Sequence, residues 1–185
     1  NTIQLNNLND GLYSNLFIMI KDAAQNNSNL LPISDFTIDT VVPLISEITP
    51  IPTFTNNNTP SYVFNSTKVG TIPSSLTSNS GTLTISSSTN ISIGNNTITF
   101  DTIPDGTYSN YEIILTDEAG NNSEALTIPL FAVDTVNPVI TEITPIPIFN
   151  SNNTPSYVFN STESGTILTT ITSFSNSVTL TISSS

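Results

Sequence analysis

Residues 57–67 read Asn-Asn-Thr-Pro-Ser-Tyr-Val-Phe-Asn-Ser-Thr, and the same eleven residues recur at 152–162. Tyr62 and Phe64 stand two residues apart within this stretch, which is the period of a strand with one buried face. The segments Thr-Leu-Thr-Ile-Ser at 82–86 and Thr-Ile-Thr-Phe at 97–100 show the same alternation. No stretch has a convincing helical period. These patterns predict an all-β fold.

The repetition extends well beyond this stretch at a constant offset of 95 residues. Residues 39–43, Asp-Thr-Val-Val-Pro, return as Asp-Thr-Val-Asn-Pro at 134–138. Residues 47–52, Glu-Ile-Thr-Pro-Ile-Pro, return unchanged at 142–147. Self-similarity at a fixed period is the signature of a repeat architecture.

The phase of the repeat predicts three segments. Residues 1–37 correspond to the C-terminal half of a repeat, 38–133 to a complete repeat, and 134–185 to an N-terminal half with a two-residue insertion. About seven short strands in about 95 residues is the size of an immunoglobulin-like β-sandwich. We therefore predict tandem immunoglobulin-like β-sandwich repeats, with single strands over 110–116 and 125–133.

Two tyrosines occupy a position with a structural meaning in such sandwiches. Tyr108 lies just before the predicted strand 110–116, and Tyr13 repeats it 95 residues earlier. A tyrosine corner places its ring there and hydrogen-bonds its hydroxyl to the backbone a few residues upstream. We predict this structural role for both residues, with a half-buried surface tyrosine as the alternative.

Composition excludes several classes of function. The 185 residues include 14 Asp and Glu but only 2 Lys and Arg, for a formal net charge of −12, and they contain no His, Cys or Trp. Nucleophilic sites that depend on His or Cys, and imidazole or thiolate metal sites, are therefore excluded. Two basic residues cannot neutralise a phosphate backbone, so we expect no nucleic-acid partner.

Neither a membrane span nor an enzyme is expected from this sequence. The longest apolar run, Leu16–Ile20, is far shorter than the roughly 20 residues that a bilayer requires. Paired carboxylates are sufficient for glycoside hydrolysis, but the acids here lie in predicted turns and linkers without an aromatic platform. We therefore expect no membrane insertion of this segment and no catalytic activity.

Three motifs in order suggest a family. They are Asp-Gly-Thr-Tyr at 105–108, Thr-Asp-Glu-Ala-Gly-Asn at 116–121 and Val-Asp-Thr-Val-Asn-Pro at 133–138. The chain resembles the bacterial immunoglobulin-like repeats of long cell-surface adhesins and biofilm proteins, and the resemblance covers all three segments. The first segment departs from it at Gln25, where the motif has Gly. The resemblance implies an extracellular or cell-surface protein.

Calcium is the cofactor that the resemblance implies, because such repeats often bind it between consecutive domains. Calcium takes six to eight oxygen ligands. The alternative is that each Asp only caps the backbone of its own turn. The candidate ligands are Asp10, Asp39, Asp117 and Glu118 at the first junction, and Asp105 and Asp134 at the second.

The sequence also bears on two covalent modifications, glycosylation and lysine–asparagine crosslinking. Eight asparagines head Asn-x-Ser/Thr triplets and are candidate glycosylation sites, although many such triplets arise by chance in a chain this rich in Asn, Ser and Thr. They are Asn26, Asn57, Asn65, Asn90, Asn95, Asn121, Asn152 and Asn160. Intramolecular lysine–asparagine crosslinks are not expected, because Lys21 aligns with Thr116 and Lys68 with Glu163.

The function that these features favour is mechanical. We expect the structural shaft of an extracellular fibre or adhesin, whose partners are neighbouring repeats or copies of the same protein. Half a sandwich cannot bury its inner faces, so either the polypeptide continues or a neighbouring copy completes each half. The second case predicts a filament subunit joined head-to-tail by strand complementation. A module that binds a glycan or another protein is a further alternative.

Overall fold

The structure is a computed structural model that describes residues 1–167, 170–172 and 179–181. All regular elements in these residues are β-strands, which confirms the predicted all-β class. The chain divides into two compact units, Asn1–Thr135 and Val136–Ser185. No helix in the described ranges is long and apolar enough to cross a bilayer.

The strands are short, and most contain two to four residues. Those of the first unit are β1 (Gly11–Tyr13), β2 (Leu16–Ile18), β3 (Leu31–Ile33), β4 (Phe36–Ile38), β5 (Ile45–Thr49), β6 (Phe54–Thr55), β7 (Ser61–Ser66), β8 (Gly70–Thr71), β9 (Ser75–Ser78), β10 (Gly81–Thr84), β11 (Asn90–Ile91), β12 (Gly94–Thr99), β13 (Gly106–Tyr108), β14 (Tyr111–Ile113), β15 (Thr116–Asp117), β16 (Leu126–Ile128) and β17 (Phe131–Val133). Those of the second unit are β18 (Ile140–Thr144), β19 (Val158–Ser161), β20 (Thr170–Thr172) and β21 (Thr179–Thr181).

Strand β7 is the centre of a three-stranded antiparallel sheet in the order β12-β7-β5. Its side chains alternate as the sequence predicts: Tyr62, Phe64 and Ser66 are buried, whereas Val63 and Asn65 are only half-buried. Since successive side chains of a strand point to opposite faces, this sheet turns one apolar face into the core.

The rest of that core comes from residues 72–91, which include Leu76 and Leu83, and from strands of residues 106–133. The latter strands form the sheet β13-β17-β6 and the pair β14-β16. Tyr111, Ile113 and Phe131 are at most 1% exposed and belong to the same apolar cluster as Phe64. All these strands belong to residues 38–133, which we call the central segment. This segment therefore encloses one contiguous core.

The prediction of single strands over 110–116 and 125–133 was wrong. The first divides into β14 and β15, and the second into β16 and β17 with Pro129 between them. Proline has no N–H to donate to a ladder, which accounts for the break between β16 and β17. Asn110, just before β14, has a positive φ of 61°, so the chain turns sharply there.

The outer segments pair their strands in the same register as the central one. β1 pairs with β4 so that Tyr13 lies opposite Phe36, and β13 pairs with β17 so that Tyr108 lies opposite Phe131. Ring centroids are 5.2 Å apart in the first pair and 5.1 Å in the second. The offset between the two pairings is the 95 residues of the sequence repeat.

Candidate functional site

The densest polar cluster lies where residue 39 leaves β4. The Lys68 ammonium is 2.8 Å from both carboxylate oxygens of Asp39 and 2.9 Å from Oδ2 of Asp117. It also donates to the carbonyl of Val41. With Asn121, these side chains form what we call the Lys68 cluster: Lys68, Asp39, Asp117 and Asn121.

The turn after β7 holds Lys68 in place. The hydroxyl of Ser66, which is 1% exposed, donates to the carbonyl of Lys68 at 2.6 Å and accepts from its amide at 3.2 Å. The amide of Thr67 donates to Leu44, and the amide of Leu44 donates to the hydroxyl of Thr67, both at 3.0 Å. The backbone of Lys68 is therefore fixed to β7 and to Leu44. Leu44 lies between β5 and the linker, which we define as residues 39–43.

A close approach of β8 to β15 brings Asp117 to the same place. Gly70 lies opposite Asp117 in the antiparallel pair. A Cβ atom on Gly70 would lie 2.3 Å from the carbonyl oxygen of Thr116, a distance that backbone atoms do not tolerate. Glycine at position 70 is thus required for the strand that carries Asp117 to lie beside the Lys68 turn.

Asp117 organises the loop that follows it. Its Oδ1 accepts hydrogen bonds from the amides of Ala119 at 3.0 Å and Asn121 at 2.8 Å. The Asn121 side-chain amide donates to Oδ2 of Asp117 at 3.1 Å and to the carbonyl of Asp39 at 3.0 Å. The loop therefore reaches the linker through Asn121 as well as through Lys68.

The electrostatics favour the charged forms of both partners. Burial alone would raise the pKa of the Asp117 carboxyl, but hydrogen bonds from Asn121 and Lys68 outweigh it and lower that pKa to about 2. Hydrogen bonds to Asp39, more than offsetting the burial of the ammonium, raise the pKa of Lys68, and Asp117 adds to this effect. The cluster is therefore an ion pair at neutral pH.

Of the calcium ligands predicted at the first junction, Asp39 and Asp117 contact the Lys68 ammonium. Asp10 and Glu118 do not take part in that ion pair. Asp10 accepts from Thr40, at 3.1 Å from its amide and 2.9 Å from its hydroxyl. Glu118 lines a shallow surface depression with Asp39, Lys68 and Asp117. In the described ranges, no three or more acidic side chains are grouped in a way that could hold a metal ion.

The predicted ligands of the second junction follow the Asp10 pattern. Asp105 accepts from the amide of Thr135 at 3.1 Å and from its hydroxyl at 2.9 Å. Asp134 also has an interaction partner. In both copies of the repeat, the Asp of the Asp-Gly turn therefore holds the Thr of the Asp-Thr-Val linker.

The predicted tyrosine corners have matching hydrogen bonds. The hydroxyl of Tyr108 donates to the carbonyl of Pro104 at 2.6 Å, and that of Tyr13 donates to Asn9 at 2.9 Å. Each bond spans four residues. Burial is the main cause that raises the pKa of Tyr108, and its ring is 7% exposed.

The candidate glycosylation asparagines lie in two kinds of environment. Asn26 and Asn121 donate their side-chain amides to Asp22 and Asp117, so a glycan there would remove a donor from an existing hydrogen-bond set. Asn65 and Asn95 bond to each other across β7 and β12 at 2.9 Å. Asn57 and Asn152 are exposed but donate their side-chain amides to the carbonyls of Thr59 and Thr154 at 3.2 Å, and Asn90 and Asn160 are exposed residues of β11 and β19.

Comparison of the repeats did not predict a role for Lys68. Glu163 occupies the corresponding position, and Ser161 bonds to its backbone as Ser66 does to that of Lys68. The local turn is retained while the charge is reversed. The available signal was different: Lys68 is one of only two cations against 14 carboxylates, so an acidic partner was to be expected for it.

Neither the models of known protein families nor the curated proteins searched match this chain. The geometry of the Lys68 cluster and the sequence repeat are therefore the basis for a function.

Proposed function

We propose that this chain is part of the structural shaft of an extracellular fibre or cell-surface adhesin, built of tandem immunoglobulin-like domains. Its role in this proposal is mechanical: it extends and spaces, and the junctions between consecutive domains limit bending. Stability in such an array is a sum of domain terms and nearest-neighbour terms.

One observation carries the proposal. Two consecutive linker residues are anchored in opposite directions: Thr40 to the preceding segment through Asp10, and Asp39 to the following one through Lys68 and Asn121. A linker with no such anchors would let the two segments move independently. Anchoring both sides is what a shaft requires.

The fold supports the domain type. The strands of residues 45–133 share a single core, and the hydroxyl of Tyr108 makes the backbone hydrogen bond of a tyrosine corner. The length of about 95 residues also fits an immunoglobulin-like sandwich. Exposed Ser, Thr and Asn side chains and a net charge of −12 favour solubility of an extended shaft.

Lys68 has, in this proposal, the role that the sequence suggested for calcium at the first junction. An ammonium between two carboxylates offsets one of their two negative charges and connects the linker to the loop after β15. A calcium ion that bound Asp39 and Asp117 would have to displace Lys68 from both.

The test is whether residues 1–38 and 43–133 tumble as one body. We expect ¹⁵N relaxation in dilute protein to give both segments the same rotational correlation time. Lys68→Met removes the ion pair while keeping the aliphatic stem, and we expect the two times to separate. Lys21→Met, at the exposed second lysine, is the matched control and should change nothing.

Two results would contradict the proposed function. The first is independent tumbling of the two segments in the unmodified chain. The second is unchanged joint tumbling in Lys68→Met when the amide spectrum shows that the central core is still folded.

A further inference from the structure

Residues 1–38 and the second unit expose apolar side chains at positions that the central segment buries. Ile3 is 62% exposed and Tyr157 is 49% exposed. The residues 95 positions away, Ile98 and Tyr62, are both 0% exposed. Contiguous exposed apolar surface marks an interaction site more often than chance. The central segment shows what covers these positions when they are buried.

Strand β19 has an unoccupied edge within the described residues. Its counterpart β7 pairs with β5 on one side and with β12 on the other. In the part of the chain that the structure describes, β19 pairs with β18 alone. An unpaired edge of this kind is a template for strand addition.

A segment with the matching sequence is present at residues 1–4. They read Asn-Thr-Ile-Gln, correspond to Asn96–Thr99 of β12, and belong to no strand. In the central segment, Thr97 lies opposite Val63 and Ile98 lies opposite Tyr62. The chain thus contains both an open edge and an unpaired copy of the strand that occupies the corresponding edge.

We propose that residues 1–38 of one copy of this chain complete the β18–β19 sheet of a second copy. In the register of the central segment, Thr2 lies opposite Val158 and Ile3 opposite Tyr157. This proposal rests on the proposed function, because it treats both segments as parts of one repeated domain, and it deepens that function by naming the partner.

A second strand pairing supports the same arrangement. In the central segment β17 runs parallel to β6, with Ala132 opposite Phe54 and Val133 opposite Thr55. Their counterparts 95 residues away are Thr37 and Ile38 on β4, and Phe149 and Asn150 in the second unit. β4 of one copy therefore has a defined place beside residues 149–150 of the next.

The two segments together supply nearly a whole core. Each buried position of the central cluster except Ile91 has an apolar counterpart in the sequence of one segment or the other. Leu16 and Ile18 correspond to Tyr111 and Ile113, for example. The missing stretch corresponds to residues 89–95, which contain β11 and the start of β12. Residues 1–38 and 134–185 therefore contain counterparts of every core position of the central segment but one.

The two strand edges that would meet carry no charged side chain, although the chain as a whole carries −12. Residues 1–5 and 156–162 contain no charged side chain. Association by main-chain hydrogen bonds and apolar contacts is therefore compatible with both strands. The two surfaces differ from one another, so the contact is heterologous and joins copies head-to-tail.

Mixing two single-cysteine variants of the full chain tests the register directly. Thr2→Cys and Val158→Cys are mixed, with one of them ¹⁵N-labelled, and treated with a short bismaleimide. We expect a mixed-label crosslink between positions 2 and 158. The doubly substituted Val63→Cys, Thr97→Cys chain is the positive control, because those residues already face each other. Leu12→Cys mixed with Val158→Cys is the negative control.

Sedimentation velocity at rising concentration tests the energetics. We expect the unmodified chain to associate, Ile3→Asp to weaken association by about tenfold or more, and Thr2→Asp to weaken it far less. Thr2 is the matched control because its counterpart Thr97 faces outward. A chain that is monomeric throughout, or equal association of both variants, overturns the proposal, as does crosslinking no stronger than in the negative control.

These outcomes are separable from a failure of the proposed function. The relaxation test concerns residues 1–38 and 43–133 of one copy and is done in dilute protein. Joint tumbling without intermolecular crosslinking would support the proposed function and contradict only the strand complementation between copies.

Discussion

The pair β5–β7 and the pair β18–β19 have nearly the same sequence and the same pairing. Ile45 lies opposite Ser66 in the first pair, and Ile140 opposite Ser161 in the second. Both pairs contain an irregularity at the same place, between Glu47 and Thr49 and between Glu142 and Thr144. The ring centroids of Tyr62 and Phe64 are 6.4 Å apart, as are those of Phe159 and Tyr157, which directly precedes β19.

The two pairs differ in what covers them. Tyr62 is 0% exposed and Tyr157 is 49% exposed, because strands from residues 94–133 enclose β7. Local pairing is therefore a property of the repeated sequence, whereas burial depends on the strands that cover the pair.

The largest effect is expected for the buried phenylalanine. Phe64→Ala should lower the free energy of unfolding of the first unit by about 3–5 kcal/mol, since it removes a fully buried aromatic ring. Phe159→Ala is the matched change in β19 and should leave that transition unchanged in dilute protein. Urea denaturation of each variant measures both. Equal losses in the two variants would mean that burial does not distinguish the two pairs.

An intermediate effect is expected in the loops that follow Asp117 and Asp22. Gly120 and Gln25 occupy matching positions with φ of 89° and 72°. A side chain in this left-handed region costs about 1–2 kcal/mol. Gly120→Ala should therefore destabilise the first unit by about 1 kcal/mol, and Gln25→Gly should stabilise its own loop by a similar amount.

Amide hydrogen exchange in the two loops checks this pair of substitutions. Both loops have the same backbone hydrogen bonds, at 3.0 Å and 3.1 Å. Slower exchange in Gln25→Gly and faster exchange in Gly120→Ala are expected. Faster exchange in Gln25→Gly would show that the first loop has adapted to a side chain.

The smallest effect compares two carboxylates that differ in one partner. Hydrogen bonds from Asn26 lower the pKa of Asp22, while Asp117 has the Lys68 ammonium in addition to Asn121. Lys68→Met should therefore raise the pKa of Asp117 from about 2 toward its ordinary value and leave that of Asp22 unchanged. A pH titration followed by carboxyl ¹³C NMR gives both values.

Asp117 and Lys68 together make the stability of the first unit depend on pH. Because the folded-state pKa of Asp117 is depressed, its contribution to stability is present above its ordinary pKa near 4 and is lost as pH falls toward about 2. Because the pKa of Lys68 is raised, its contribution is present below the ordinary lysine value and is lost as pH rises through the folded-state value. The measurement is the free energy of unfolding of the first unit as a function of pH. A loss of stability at low pH that is as steep in Asp117→Asn as in the unmodified chain would contradict this assignment.

The sequence was informative where a pattern is local. The alternation around Tyr62 and Phe64 predicted β7, and the position of Tyr108 before β14 predicted its backbone hydrogen bond. These features depend on a few neighbouring residues and on the period of a strand. The offset of 95 residues was equally visible, because it requires only that the chain be compared with itself.

The sequence was less informative where distant residues meet. The two-residue strand β6 has no periodicity of its own and exists because β17, whose residues lie 78 positions after their partners, pairs with it in parallel. Lys68 reaches Asp117 across 49 residues. The carboxylates of Asp39 and Asp117 were recognised as neighbours, but the cation between them depends on the close approach at Gly70, which only the three-dimensional structure reveals.

Amide hydrogen exchange in β7 and β19 tests most directly the claim that the other half of the domain determines burial. We predict that β7 amides are protected at every protein concentration. Those of Val158–Ser161 should exchange rapidly in dilute protein and become protected as concentration rises and a second copy covers them. Protection of β19 equal to that of β7 in dilute protein, or none at any concentration, would contradict the account.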